Sequence, residues 1–142
     1  LEQEGADGCL NILLSHFIEP RLGQGKLFVL SHYPATQAAL AKTAIEDGFA
    51  VAERFEVFYK GYELANGYHE LVDAQEQEKR LIEANQDRIR FGKEPLPIDY
   101  KFINALKKGV PPSCGVAVGF DRLMMLRNNQ TEIKNILPLD DY

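Results

Sequence analysis

Arg54-Phe55-Glu56-Val57-Phe58-Tyr59-Lys60-Gly61-Tyr62-Glu63-Leu64-Ala65-Asn66-Gly67-Tyr68-His69-Glu70-Leu71 is the stretch that decides how this chain is built. Its β-branched and aromatic residues, continuing back to Phe49, favour two strands over a helix. Lys60-Gly61 between them reads as a two-residue turn, a geometry that glycine permits. Tyr59 then opposes Tyr62, Phe58 opposes Glu63, and Val57 opposes Leu64. Alternation gathers Phe55, Val57, Tyr59, Tyr62 and Leu64 on one apolar face, and Arg54, Glu56 and Glu63 on the other. Glu70 falls by strict alternation on the apolar side. It joins the other carboxylates only if the strand is irregular, and Asn66-Gly67 suits a bulge or bend.

Two carboxylates held diagonally across strands repel unless a cation sits between them. A divalent ion answers that need, and Mg²⁺ is the natural guest when phosphates supply further oxygen ligands. The plainer alternative is a solvated face on which Arg54 balances the charge.

A second signal follows at Gly115-Val116-Ala117-Val118-Gly119-Phe120-Asp121-Arg122. Tiny residues alternate with apolar ones, so one face of this strand is bare and can receive something flat or bulky. Arg122 comes at the first turn of the next helix, where free backbone N–H groups already favour an anion. A guanidinium there can grip a phosphate through two hydrogen bonds. The plainer alternative is a glycine-rich strand under a helix, with Arg122 in a surface ion pair.

The remaining elements frame these two segments. Leu10, Leu13, Leu14 and Phe17 predict a helix over 6–18, closed by Pro20. Gly23-Gln24-Gly25 is a turn before a strand at 27–30. Pro34 is expected to open a small-residue helix over 35–44. Asp73 with Glu76 predicts the start of a long polar helix reaching about Phe91. A loop over 92–97, a short helix over 99–108, a strand over 116–120 and an apolar helix capped by Asp121 complete the chain. Helices and strands mix without a βαβ rhythm, which favours an α+β fold with an antiparallel sheet flanked by helices.

The composition sets the outer limits. The 142 residues carry 45% hydrophobic and 26% charged side chains, the profile of a folded domain. A chain of this length buries roughly 68–70% of its unfolded surface, enough for one core. Sixteen Lys and Arg against 21 Asp and Glu leave a net charge of −5. This argues against a dominant phosphate-tracking surface, though a local basic pocket remains compatible. No apolar run approaches the length of a membrane span. The acidic Leu1-Glu2-Gln3-Glu4 start is no secretory signal and lacks an initiator Met, so a processed or excised piece is expected. Cys9 and Cys114 form no CxxC and read as two reduced core thiols of a cytoplasmic protein. His16, His32 and His69 show no metal-ligand spacing.

Together the two segments resemble the C-terminal half of the catalytic domain of class II aminoacyl-tRNA synthetases, lysyl branch. The pattern R-F-E-x-F-x-x-G-x-E-x-x-N-G-x-x-E-L followed by G-x-x-x-G-x-D-R, the latter resembling class II motif 3, carries the likeness from about Leu27 to Pro138. Within that branch the wording of 54–61, 63–70 and His32-Tyr33-Pro34-Ala35-Thr36-Gln37-Ala38 is similar to the paralogues that attach (R)-β-lysine to elongation factor P. Lysyl-tRNA synthetases typically carry glycine where this chain has Ala117. The added methyl would narrow the pocket beside an α-amino group.

The resemblance implies an ATP- and Mg²⁺-dependent ligase of the cytoplasm. Glu56 and Glu63 would hold the Mg²⁺, and Glu63, Leu64, Gly119 and Arg122 would contact ATP. Arg122 would clamp the γ-phosphate, and with Glu63 would carry the catalytic role. Glu70 would pair with a substrate ammonium, with Asn66, Tyr68 and Ala117 lining that pocket. The substrate would be (R)-β-lysine or lysine, activated as an adenylate and passed to a lysine of elongation factor P, with neither tRNA nor a membrane as partner. The whole protein would be a homodimer. Motifs 1 and 2 are missing, so residues 1–142 are expected to be the C-terminal portion of the catalytic domain and inactive alone. A piece of an authentic lysyl-tRNA synthetase and a non-catalytic synthetase-like binding module are the competing readings.

Overall fold

The computed structural model describes residues 5–137, so Leu1 to Glu4 and the end of the motif likeness at Pro138 lie outside the described residues. The elements in chain order are α1 (Gly5–Leu13), β1 (Phe28–Pro34), β2 (Thr43–Glu46), β3 (Phe49–Tyr59), β4 (Tyr62–His69), α2 (Ala74–Arg90), α3 (Tyr100–Lys107), β5 (Cys114–Val118) and α4 (Phe120–Arg127). The sheet runs β1-β3-β4-β5, with β2 antiparallel to β3 from Thr43↔Ala52 to Glu46↔Phe49. This is the α+β arrangement expected from the sequence. No helix among the described residues is long and apolar enough to cross a membrane.

The chain divides into two compact units. Among the described residues the first joins 5–32, 54–67 and 116–137; the second joins 33–53 and 68–115.

In the first unit the expected turn is present. Lys60 and Gly61 both have positive φ, 51° and 78°, as a two-residue type I′ connection requires. The turn is tied down from outside: the Lys60 N–H donates to the Gly23 carbonyl at 3.0 Å and the Gly61 N–H to the Leu22 carbonyl at 2.9 Å. Gly23 has φ +70°, and a Cβ there would lie 2.6 Å from the Phe58 carbonyl oxygen. The N-terminal helix stops at Leu13 and continues as a wider turn over Leu14–Ile18 and a tight one over Glu19–Arg21, where Pro20 removes a donor. Phe58, Leu64 and Met125 form the buried apolar centre of this unit. Glu56 and Phe58 are the buried residues of β3 here, while Phe55, Val57 and Tyr59 are half-buried. On β3 the charged Glu56 is thus covered along with Phe58, whereas on β4 Leu64 is buried and the Glu63 side chain is partly exposed.

In the second unit α2 begins where expected. Asp73 accepts from the Gln75 and Glu76 N–H groups at 2.8 and 3.0 Å, a cap worth about 1 kcal/mol. Asp99 caps α3 in the same way, with 2.9 and 3.2 Å contacts to Lys101 and Phe102. Ala38, Ala41, Ala52, Ile103 and Leu106 are buried here.

Three local expectations are corrected. The stretch 35–44 is not a helix: a tight turn over Ala35–Gln37 leads into β2. Ala39 is left-handed at φ 49°, and Ala41 pairs antiparallel with Glu70. Alanine's helix preference is small per residue, and the hydrogen bonds to neighbouring segments override it. The cap of α4 is Gly119 rather than Asp121, which lies inside the first turn. Cys9 and Cys114 are free, as expected, but exposed rather than in the core.

Candidate active site

The carboxylates of the hairpin lie in the first unit with a third that the sequence reading missed. Glu56 is 7% exposed and ion-paired with Arg54 along the same strand. The Asn66 amide approaches the same Glu56 oxygen at 3.5 Å. Strict alternation would turn Asn66 away from Glu56. β4 nonetheless runs as one uninterrupted strand from Tyr62 to His69, so the bend expected at Asn66-Gly67 does not break it.

Glu19 completes the acidic group. Partial burial, and then the charges of Glu56 and Glu63, push its carboxyl above the ordinary value of 4.5. Its only sequence signal is a carboxylate before the proline that ends a helix, too common to single out. The neutral form is favoured on folding, so the folded chain retains a proton that the unfolded chain releases above about pH 4.5. Stability from this group is fully present below that pH and falls as pH rises through the raised value. Glu19→Gln is expected to raise Tm at pH 7, with the gain vanishing near pH 3. An equal gain at both values in thermal unfolding would contradict this account.

Arg122 stands opposite. Its Nη1 donates to the Glu63 carbonyl at 2.8 Å and lies 3.6 Å from the Glu63 carboxylate. The Gly119 N–H donates to the Leu64 carbonyl at 2.8 Å, which fixes the start of α4 against β4. Glu63, Leu64, Gly119 and Arg122 are therefore neighbours. The Arg122 and Glu63 side chains are 45% and 38% exposed, so their ion pair is weak and easily exchanged for a better anion. Ala117 is exposed on β5, as are Val116 and Val118.

Tyr68 and Glu70 belong to the second unit. Both are half-buried. The Glu70 N–H donates to the Ser113 carbonyl at 2.9 Å, and a Cβ built on Gly115 would lie 2.4 Å from Glu70 Oε1. Gly115 thus makes the room that the Glu70 carboxylate occupies. His69 Nδ1 is 2.7 Å from Glu53 Oε2, a strand-to-strand partner rather than a metal ligand. Among the described residues no three His, Cys, Asp or Glu side chains converge on a point that could hold a metal by themselves.

An antiparallel sheet, a hairpin with paired carboxylates and an arginine at the start of the helix after a small-residue strand define the class. The chain belongs to the class II tRNA synthetase family (D, K and N), matching it over residues 20–140. Its curated relatives include proteins named elongation factor P–(R)-β-lysine ligase. The one from Histophilus somni is 48% identical over 136 residues, covering 96% of this chain and 42% of the relative. That from Haemophilus ducreyi is 46% identical, covering 96% and 41%. That from an Enterobacter species is 44% identical, covering 95% and 41%. The chain spans about two fifths of the length of these relatives.

Proposed function

We propose that this chain is the C-terminal portion of a synthetase-like catalytic domain whose whole protein activates (R)-β-lysine, or lysine, with ATP. The aminoacyl group then passes to a lysine side chain of elongation factor P. The observation that carries the reading is the placement of Arg122 over the Glu63 backbone beside the Glu56–Glu63 carboxylates. The relatives' names supply the amino acid and the acceptor.

In this reading the substrate carboxylate attacks the α-phosphorus, an aminoacyl adenylate forms and pyrophosphate leaves. The acceptor ε-amine then attacks the acyl carbon, an amide forms and AMP leaves. No side-chain nucleophile is required, because positioning and charge neutralisation lower both barriers. Glu56 and Glu63 fit a Mg²⁺ that arrives with the nucleotide: two carboxylates leave coordination positions for phosphate oxygens and water. The bound ion would neutralise phosphate charge. Arg122 exchanges its exposed pairing with Glu63 for the γ-phosphate. Gly119 and the Leu64 backbone border the nucleotide. Following the family resemblance, Glu70 pairs with the substrate ammonium, and Asn66, Tyr68 and Ala117 line the amino-acid pocket.

Gly115→Ala tests the role of Glu70 with little risk to folding, because its methyl meets only the end of a flexible side chain. The expected result is a rise of about tenfold in KM for the amino acid, with KM for ATP unchanged. Ala117→Gly is expected to improve use of α-lysine by opening space beside the α-amino group. The deciding experiment offers α-lysine or (R)-β-lysine, with tRNA or elongation factor P as acceptor, to a protein containing the complete domain. Transfer of (R)-β-lysine to elongation factor P supports the reading. Charging of tRNA with α-lysine would move the chain to the lysyl-tRNA synthetases, and absence of ATP binding would leave a non-catalytic module. The 142-residue chain alone is expected to give no pyrophosphate exchange.

A further inference from the structure

We infer that Arg80 is a positioning residue for Glu70, an inference that rests on the substrate-binding role just proposed for that carboxylate. Arg80 lies in the second turn of α2, with its side chain 18% exposed. Its Nε donates to Glu76 Oε1 at 2.9 Å, and its Nη1 donates to the Ala41 carbonyl at 2.7 Å and the Ala39 carbonyl at 3.3 Å. Those carbonyls belong to the segment that the sequence reading expected to be helical. With Ala39 left-handed and Ala41 fully buried, the segment has no helical ladder to satisfy them. The guanidinium takes that place.

The same segment holds the end of β4. The Leu71 N–H donates to the Leu40 carbonyl at 3.0 Å, the Lys42 N–H donates to the His69 carbonyl at 2.8 Å, and Ala41 pairs with Glu70 between them. On its other flank Glu70 is held by the Ser113 carbonyl and by the space above Gly115. The backbone of Glu70 is therefore gripped from two sides, and one guanidinium secures one of them. Glu76 fixes the orientation of that guanidinium from the preceding turn of the helix. A planar fork can serve two carbonyls and a carboxylate at once, whereas an ammonium on a flexible stem cannot reproduce that geometry. Removing the fork leaves the part-buried Ala41 carbonyl unpaired and frees the strand end that carries Glu70.

The test uses pyrophosphate exchange by a protein with the complete domain, comparing Arg80→Ala, Arg80→Lys and Glu70→Gln. Arg80→Ala is expected to raise KM for the amino acid about tenfold while KM for ATP stays within about twofold. Arg80→Lys falls between the two, and added guanidinium ion restores part of the loss in Arg80→Ala. Combining Arg80→Ala with Glu70→Gln adds little to the effect of Glu70→Gln alone, since both act through one group. If Arg80→Ala does not fold, the KM split in Arg80→Lys decides. Equal rises in both KM values, or no guanidinium rescue, would overturn the inference and leave Arg80 a structural residue. Glu70→Gln with an unchanged amino-acid KM would overturn the reading of Glu70 itself. A raised KM in Glu70→Gln beside an unchanged one in the Arg80 variants sinks the inference alone.

Discussion

Arg122→Ala is expected to slow adenylate formation by a protein with the complete domain about 10²–10³-fold, the usual cost of removing one preorganised group that stabilises transition-state charge. The position of Arg122 is set by backbone. Its Nη1 rests on the Glu63 carbonyl, and the Gly119 N–H anchors the start of α4 on the Leu64 carbonyl. The guanidinium is nevertheless half-exposed and its ion pair with Glu63 is loose, so little stability depends on it. The variant is expected to unfold within about 0.5 kcal/mol of the parent. Arg122→Lys keeps the charge but loses the planar fork, so it recovers only part of the rate. The measurement is pyrophosphate exchange against ATP concentration; unchanged exchange in Arg122→Ala would remove this residue from the mechanism.

Gly23→Ala has the opposite signature, a loss of stability of about 3 kcal/mol with no direct effect on chemistry. A left-handed conformation costs a non-glycine residue roughly 1–2 kcal/mol. The added methyl would also meet the Phe58 carbonyl oxygen and Tyr59 Cα at 2.6 Å, both backbone atoms that cannot turn away. Gly25→Ala is the control, since its φ is +77° with nothing near the built Cβ. It should show the conformational cost alone. Denaturant unfolding of the two variants separates the terms, and equal losses would show that the contact with β3 carries no energy.

The parts of the fold that could be read from sequence were those governed by neighbours along the chain. Asp73 and Asp99 announce their helices because a cap is a contact between residues two or three apart. Lys60-Gly61 announces the hairpin because the turn needs only its own two dihedral angles. The segment after Pro34 could not be read this way. Its alanines are shaped by Arg80, about 40 positions later, and by pairing with residues 69–71. The same limit applied to the site. Glu56, Glu63 and Arg122 stood out through their spacing and through resemblance to a family. Glu19 did not, since only the folded chain brings it near the other two. Strand alternation likewise fixes which residues share a face but not which are covered: Glu56 is buried on β3 while Phe55 and Val57 are half-buried.

The tether on the hairpin tip bears on how this chain opens. In a free hairpin the two amides of the turn face water and trade their protons first. Here the Lys60 and Gly61 amides are both donated to the loop at Leu22-Gly23. They exchange with deuterium only when that loop lifts away, a contact between segments far apart in sequence. Two adjacent amides at an outer turn thus become a clock for the opening of the first unit, readable without a label or a substrate.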